Sequence, residues 1–229
     1  MAKKDVPEKI SITAGANFEP LYFDISENSG FSRSYDCKNR LFITFWDDED
    51  AVAYMELRVC WYPGISNILD ISDEDADSEE SAATAMAYIK DGIEEDDDVW
   101  EDEEIVVCEI HTFYISPDYR GMGLSKRLML MIPYLLECYI NCSDAVVTAY
   151  VNPFKNQECT ADSEPVRTKR EYGYDCADEE LLSTMRKALT GIGFEDVMGN
   201  GRNYATDLKE LASAADNEGL YYYENGDFE

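Results

Sequence analysis

Glu109-Ile-His-Thr-Phe-Tyr-Ile-Ser-Pro-Asp-Tyr-Arg-Gly-Met-Gly-Leu-Ser-Lys-Arg-Leu-Met-Leu-Met-Ile-Pro-Tyr-Leu-Leu136 is the stretch on which the rest of the chain depends. The run Ile105 to Ile115 is apolar, aromatic and threonine-containing, and reads as a buried strand. Ser116-Pro117-Asp118 breaks it, because proline removes a ladder donor and restricts the residue before it. Arg120-Gly-Met-Gly-Leu-Ser125 follows, and an apolar-periodic helix starts there. A glycine-rich turn that opens a helix presents bare backbone N–H groups, and the helix dipole adds positive potential. The expectation is an anion cradle of the kind a pyrophosphate occupies.

Working outward, Pro133 lies inside the helix expected from about Met122 to Ile140, so a kink is expected near Leu130. Asp144 to Val151 reads as a second buried strand, ending at Asn152-Pro153, and Phe154 to Tyr174 reads as an irregular loop. Glu179 to Leu189 carries Leu181, Leu182, Met185 and Leu189 at helical spacing, and Gly191-Ile-Gly193 stops it. Phe194 to Met198 and Tyr204 to Leu208 flank Gly199-Asn-Gly201 as a hairpin, and a short helix is expected from Leu208 to Ala215. Upstream, Ile10 to Ala14 and Leu21 to Ile25 read as short strands. Leu41 to Trp46 and Ala51 to Trp61 read as an antiparallel hairpin around Asp47-Asp-Glu-Asp50. The order is that of an α/β domain, a mixed α+β sheet flanked by helices. At 229 residues the expectation is one domain over residues 1–229.

Charge is the extreme feature: 49 acidic against 19 basic residues, net −30. Such a surface repels nucleic acid and anionic membranes and attracts polycations, basic proteins and amines. Over half of the net charge lies in Asp70 to Glu104, with 17 acidic residues against Lys90. Residues 64–104 therefore read as an acidic, partly disordered insertion, with a short helix from Ser78 to Ile89 capped by Ser78. Asp73-x-Asp75-x-Asp77 opens like a calcium loop. Ser78 stands where such a loop needs glycine, however, and Thr84 where it needs glutamate. The seven cysteines include no Cys-x-x-Cys pair, and only one histidine is present, so zinc is not expected. No apolar run approaches membrane-spanning length, and Met1 to Pro7 lacks a signal peptide's apolar core. With free thiols in apolar runs, the expectation is a cytoplasmic protein.

Ile115-Ser-Pro-Asp-Tyr-Arg-Gly-Met-Gly-Leu-Ser125 resembles motif A of the GNAT superfamily of N-acetyltransferases, whose pattern is Q/R-x-x-G-x-G/A, with Ser125 in place of the last small residue. Val146 to Asn152 is similar to that family's next strand, and Ala188 to Val197 resembles its helix ending in Gly-Phe. The resemblance implies a GNAT-like acyl-CoA N-acyltransferase fold and transfer of acetyl from acetyl-CoA to a primary amine. It implies that the pyrophosphate sits on the amides of Arg120, Gly121, Met122, Gly123, Leu124 and Ser125. It implies that pantetheine lies along Phe113, Tyr114 and Ile115, with Asn152 beside it. Arg120, Lys126 and Arg127 agree in sign, placing three cations within eight residues of an acidic chain.

The chemistry needs a base, because an alkylammonium must lose a proton before it attacks a thioester. Glu109 lies eleven residues before Arg120, near the spacing at which histone-type members carry their general-base glutamate. His111, the sole histidine, shares a strand face with it by period-two alternation and is an alternative base. The family's thiolate-protonating tyrosine falls at Leu189, a departure that Tyr150, Tyr172 or Tyr174 could make good. The acidic surface points to a cationic acceptor, either a small molecule or a basic protein. A second reading, motivated by Leu189 and the acidic insertion, is an acidic interaction protein on a GNAT scaffold that mimics nucleic acid toward a basic partner.

Overall fold

Strand formation follows the alternation in the sequence. In β2 (Asn39–Asp47), Leu41, Ile43 and Phe45 are fully buried while Phe42 and Thr44 are partly exposed. β3 (Asp50–Tyr62) repeats the pattern through Met55, Leu57 and Val59. The two pair antiparallel around Asp48 and Glu49, with Asp48 at φ 52°, a region that aspartate tolerates better than most residues. The structure, a computed structural model, describes residues 10–17, 39–62, 76–92, 104–151, 179–220 and 227–228. The expected strand over 21–25, the loop over 154–174 and both flanks of the acidic insertion lie outside them.

Among the described residues the sheet has eight strands in the order β6-β7-β5-β4-β3-β2-β1-β8. β1 spans Ile10–Asn17, longer than expected, and β4 spans Ile105–Ile115, the residues expected of it. β5 is Val146–Tyr150, β6 Glu195–Asp196 and β7 Asn203–Asp207, the last two flanking the expected Gly199–Gly201 turn. The two-residue β8, Asp227–Phe228, pairs with β1 at the far edge and has no signal in the sequence. Every pairing is antiparallel except that of β4 with β5. A parallel pair needs a crossover, and here it is built from two helices, α2 (Leu124–Met129) and α3 (Ile132–Ile140). The expected single helix breaks at Leu130 and Met131 because Pro133 has no N–H to offer the preceding turn.

Residues opposite each other across the ladder share a face. One face, including Leu41, Ile43, Leu57, Cys108 and Val147, packs on Leu124, Leu128, Ile132, Leu135 and Leu136 of the crossover. α4 (Glu179–Thr190) joins this core through Leu189, and α5 (Leu208–Asn217) through Leu208 and Leu211. α5 starts on Asp207, whose carboxylate accepts from the Lys209 N–H. Cys60, Cys108, Cys138 and Cys142 are free thiols, and burial holds the Cys108 thiol well above its usual pKa.

The opposite face carries α1 (Ala76–Gly92), which lies within the acidic insertion. The helix is longer than expected and begins before Ser78, which is therefore inside it rather than at its cap. Ala82, Ala85, Met86 and Ile89, at i, i+3, i+4 and i+7, meet Tyr62, Ile105 and Val107. Two polar contacts fix the docking: Ser81 Oγ to Thr148 Oγ1 at 2.6 Å, and buried Asn203 Nδ2 donating to Thr84 Oγ1 at 2.9 Å. No described helix is long and apolar enough to cross a membrane. Asn203→Ala removes the donor to Thr84 Oγ1 and the acceptor of Asn200 Nδ2, so it is expected to cost about 1–3 kcal/mol, read as a lower urea midpoint.

Candidate functional site

β4 and β5 pair only from Val107 with Val146 to Ile110 with Ala149. Past that point they part. β4 runs on through His111–Ile115 against β3, and the Ser116 N–H still bonds to Val52 O at 2.8 Å. β5 instead stays with β7, and the Val151 N–H bonds to Arg202 O at 2.8 Å. The edge of β4 carrying Phe113, Tyr114 and Ile115 is thus left uncovered by β5.

The glycine turn follows that edge. Gly121 and Gly123 sit at φ 76° and 75°, and both are solvent-exposed, so the turn needs glycine for its backbone angles alone. Gly123 is the N-cap of α2, which makes no side-chain cap hydrogen bond. Met122 and Ser125 are half-buried, and Leu124 anchors the turn in the core. Arg120 closes the approach. Its Nε donates to Ile115 O at 2.9 Å, and its guanidinium lies 5.5 Å from the Tyr114 ring centroid. Buried Tyr119 donates its hydroxyl to Asp47 at 3.0 Å, tying the turn to the β2–β3 hairpin. Lys126, also expected to contribute positive charge, pairs with Glu218, the C-cap of α5, at 2.7 Å. Asn152 lies outside the described residues.

Glu109 is 7% exposed, although it is a carboxylate in mid-strand. It stands opposite Arg58 on β3 and Thr148 on β5. Its Oε1 is 3.3 Å from His111 Nδ1, so the expected shared face is observed. His111 Nε2 lies 2.7 Å from Arg58 Nη2, and Arg58 Nε donates to Glu56 Oε1 at 3.3 Å. The register accounts for the ring's position: Leu57 faces Ile110 while Glu56 faces Thr112, so His111 is the extra residue of a β-bulge. Sequence reasoning missed Arg58 and Glu56. Their alternation with Leu57 marked them as lying on one strand face, but the partner strand was not specified.

Leu189 is buried in the core, so the family's tyrosine position is filled by packing. Tyr150 is the last residue of β5, one past the final β4–β5 pair and half-buried, while Tyr172 and Tyr174 lie outside the described residues. An open groove of about 510 Å³ runs between Lys126, the Gly191–Gly193 loop and α5. Of the residues singled out for the site it contains Lys126 alone. Among the described residues, no cluster of three or more His, Cys, Asp or Glu could hold a metal ion.

This arrangement joins a parted parallel strand pair, a left-handed glycine turn and a helix start at one end of a mixed sheet. The chain belongs to the acetyltransferase (GNAT) family, whose sequence profile matches residues 14–157. That match begins in β1 and takes in the β2–β3 hairpin, so it reaches further upstream than the motif around Arg120–Ser125. It ends before Ala188–Val197. No curated protein sequence matches. A crystal structure of an insect protein assigned as arylalkylamine N-acetyltransferase 7, from the yellow fever mosquito Aedes aegypti, is similar at 11% identity with a TM-score of 0.33. The alignment covers 74% of this chain and 64% of that one, so this chain spans less than two thirds of its length.

An alanine at Gly123 meets no atom within 4 Å but must adopt φ 75°. Gly123→Ala is therefore expected to destabilise by about 1–2 kcal/mol, through backbone strain alone. The check is a matching fall in thermal midpoint with an unchanged near-ultraviolet spectrum.

Proposed function

We propose that this acetyltransferase moves acetyl from acetyl-CoA directly to a primary amine of a cationic small molecule or basic protein. The observation that carries the reading is the parting of β4 from β5 beside the uncapped start of α2. The residues fit the cofactor. The amides of Arg120 to Ser125, with the dipole of α2, would hold its pyrophosphate, and the β4 edge at Phe113, Tyr114 and Ile115 would hold its pantetheine arm, with Asn152 alongside. Acetyl-CoA would supply the activated acyl group.

The chain's own part is to strip, place and stabilise. Glu109, buried in mid-strand, is the proposed base that takes the ammonium proton before the amine attacks. Backbone N–H groups of the β4 edge would meet the charge that develops on the carbonyl oxygen. Tyr150, at the end of β5 beside the parting, is the proposed replacement for the missing tyrosine and would return a proton to the departing sulfur. A net charge of −30 supports a cationic acceptor by raising its local concentration. We take the 1–229 chain as a single domain in which the acidic insertion contributes one docked helix.

The test combines acetyl-CoA calorimetry with turnover on a panel of spermine, an aminoglycoside, a lysine-rich peptide and an arylalkylamine. Glu109→Gln is expected to retain cofactor affinity while turnover falls by about 10²–10⁴-fold. Gly123→Glu is expected to abolish cofactor binding, because a carboxylate then stands where the pyrophosphate would lie. Absence of acetyl-CoA binding at millimolar concentration would sink the enzyme reading. Binding with no turnover on any amine would favour an acidic interaction protein instead.

A further inference from the structure

We propose that Arg58 is a positioning residue for the Glu109 base and acts through His111, whose ring it locks in the Nδ1–H tautomer. The proposal rests on reading Glu109 as the base. A guanidinium has five donors and no acceptor, so in the 2.7 Å contact His111 Nε2 must be the accepting nitrogen. The ring proton is then on Nδ1, which faces Glu109 Oε1 at 3.3 Å and donates to it.

Arg58 is itself held, since its Nε donates to Glu56 Oε1 at 3.3 Å. The row therefore alternates carboxylate, guanidinium, neutral imidazole, carboxylate. Each side chain is largely buried, so each link is strengthened by the low local dielectric and is costly to leave unmade. The bulge contributes as well: His111 has no cross-strand partner of its own in the register and falls between the positions of Leu57 and Glu56.

Two roles separate as a result. The one nitrogen of His111 able to accept a proton is taken by Arg58, so His111 does not serve as the base in this arrangement. It orients the Glu109 carboxylate instead, much as a histidine's second nitrogen fixes ring orientation in other sites. Arg58 matters because its donor occupies Nε2 and so, together with the Glu109 carboxylate at Nδ1, fixes which nitrogen carries the proton. A lysine there offers a single point charge rather than a planar fork, and leucine offers nothing.

The chain has one histidine, so a long-range 15N–1H correlation spectrum of the full-length, 15N-histidine-labelled protein contains one imidazole. The spectrum is recorded at a mildly alkaline pH. The expected pattern is pyrrole-type Nδ1 with pyridine-type Nε2, the reverse of the form an unconstrained histidine prefers in water. In Arg58→Leu the Glu109 carboxylate still faces Nδ1, so the Nδ1–H form is expected to lose its exclusive population, with an Nε2–H signal or exchange-averaged nitrogen shifts appearing beside it, and kcat for acetyl transfer to the amine turned over from the panel is expected to fall by about 10–100-fold with KM little changed. Arg58→Lys is expected to recover part of both. An Nε2–H pattern in the unsubstituted protein overturns the proposal without any variant having to fold. Nitrogen shifts and kcat both unchanged in Arg58→Leu overturn it too. An Nδ1–H pattern combined with unaffected turnover in Glu109→Gln removes the base and leaves only the tautomer lock, so the two failures are told apart.

Discussion

A backbone amide or carbonyl inside a sheet needs a partner, and that requirement governs the centre of this molecule. β4 and β5 satisfy each other over four residues each and then diverge, one following β3 and the other β7. Because the pair is parallel, the chain must leave the end of β4, cross the sheet and return, and the crossover starts with the glycine turn. The uncovered strand edge and the uncapped helix start therefore come together as one consequence of topology. Arg120 braces this corner by bonding back to Ile115, and Tyr119 ties it to the β2–β3 hairpin at Asp47.

Beside the parting, the sheet buries a strip that stability alone would not select. Glu56, Arg58, Glu109 and His111 occupy positions that aliphatic residues would fill at no loss, since a buried ion pair is often no better than a hydrophobic pair of the same volume. Arg40 stands opposite Arg58 with like charge, and its buried Nε has no hydrogen-bond partner among the described residues. The opposite face of the same strands, with Leu41, Ile43, Leu57 and Cys108, is uniformly apolar. One sheet thus separates its work: one face holds the fold, and the other carries the charges.

The acidic insertion belongs to that second face. Its helix buries an alanine-rich stripe against Tyr62, Ile105 and Val107 and reaches the sheet through Thr148 and Asn203. Thr148 is the residue opposite Glu109, so the docked helix forms part of the surroundings that shield the carboxylate. The small residues explain how so acidic a segment can pack, since its alanines allow close approach.

Much of this was legible because it is local. The period-two runs located β2, β3, β4 and β5 closely, Gly199-Asn-Gly201 marked the last hairpin, and Pro133 marked the helix break, each through a backbone preference that a short window contains. The glycine turn and Glu109 were visible for the same reason. The two-residue β8 and the start of α1 ahead of Ser78 were not, because each depends on what packs nearby rather than on neighbours in sequence. Arg58 shows the limit most clearly. The sequence by itself determined that a glutamate and a histidine share one strand face, two residues apart. Only the tertiary structure decided that an arginine from 53 positions earlier meets the far nitrogen of that histidine, because strand register, which a bulge shifts by one residue, is a property of two strands and is written in neither alone.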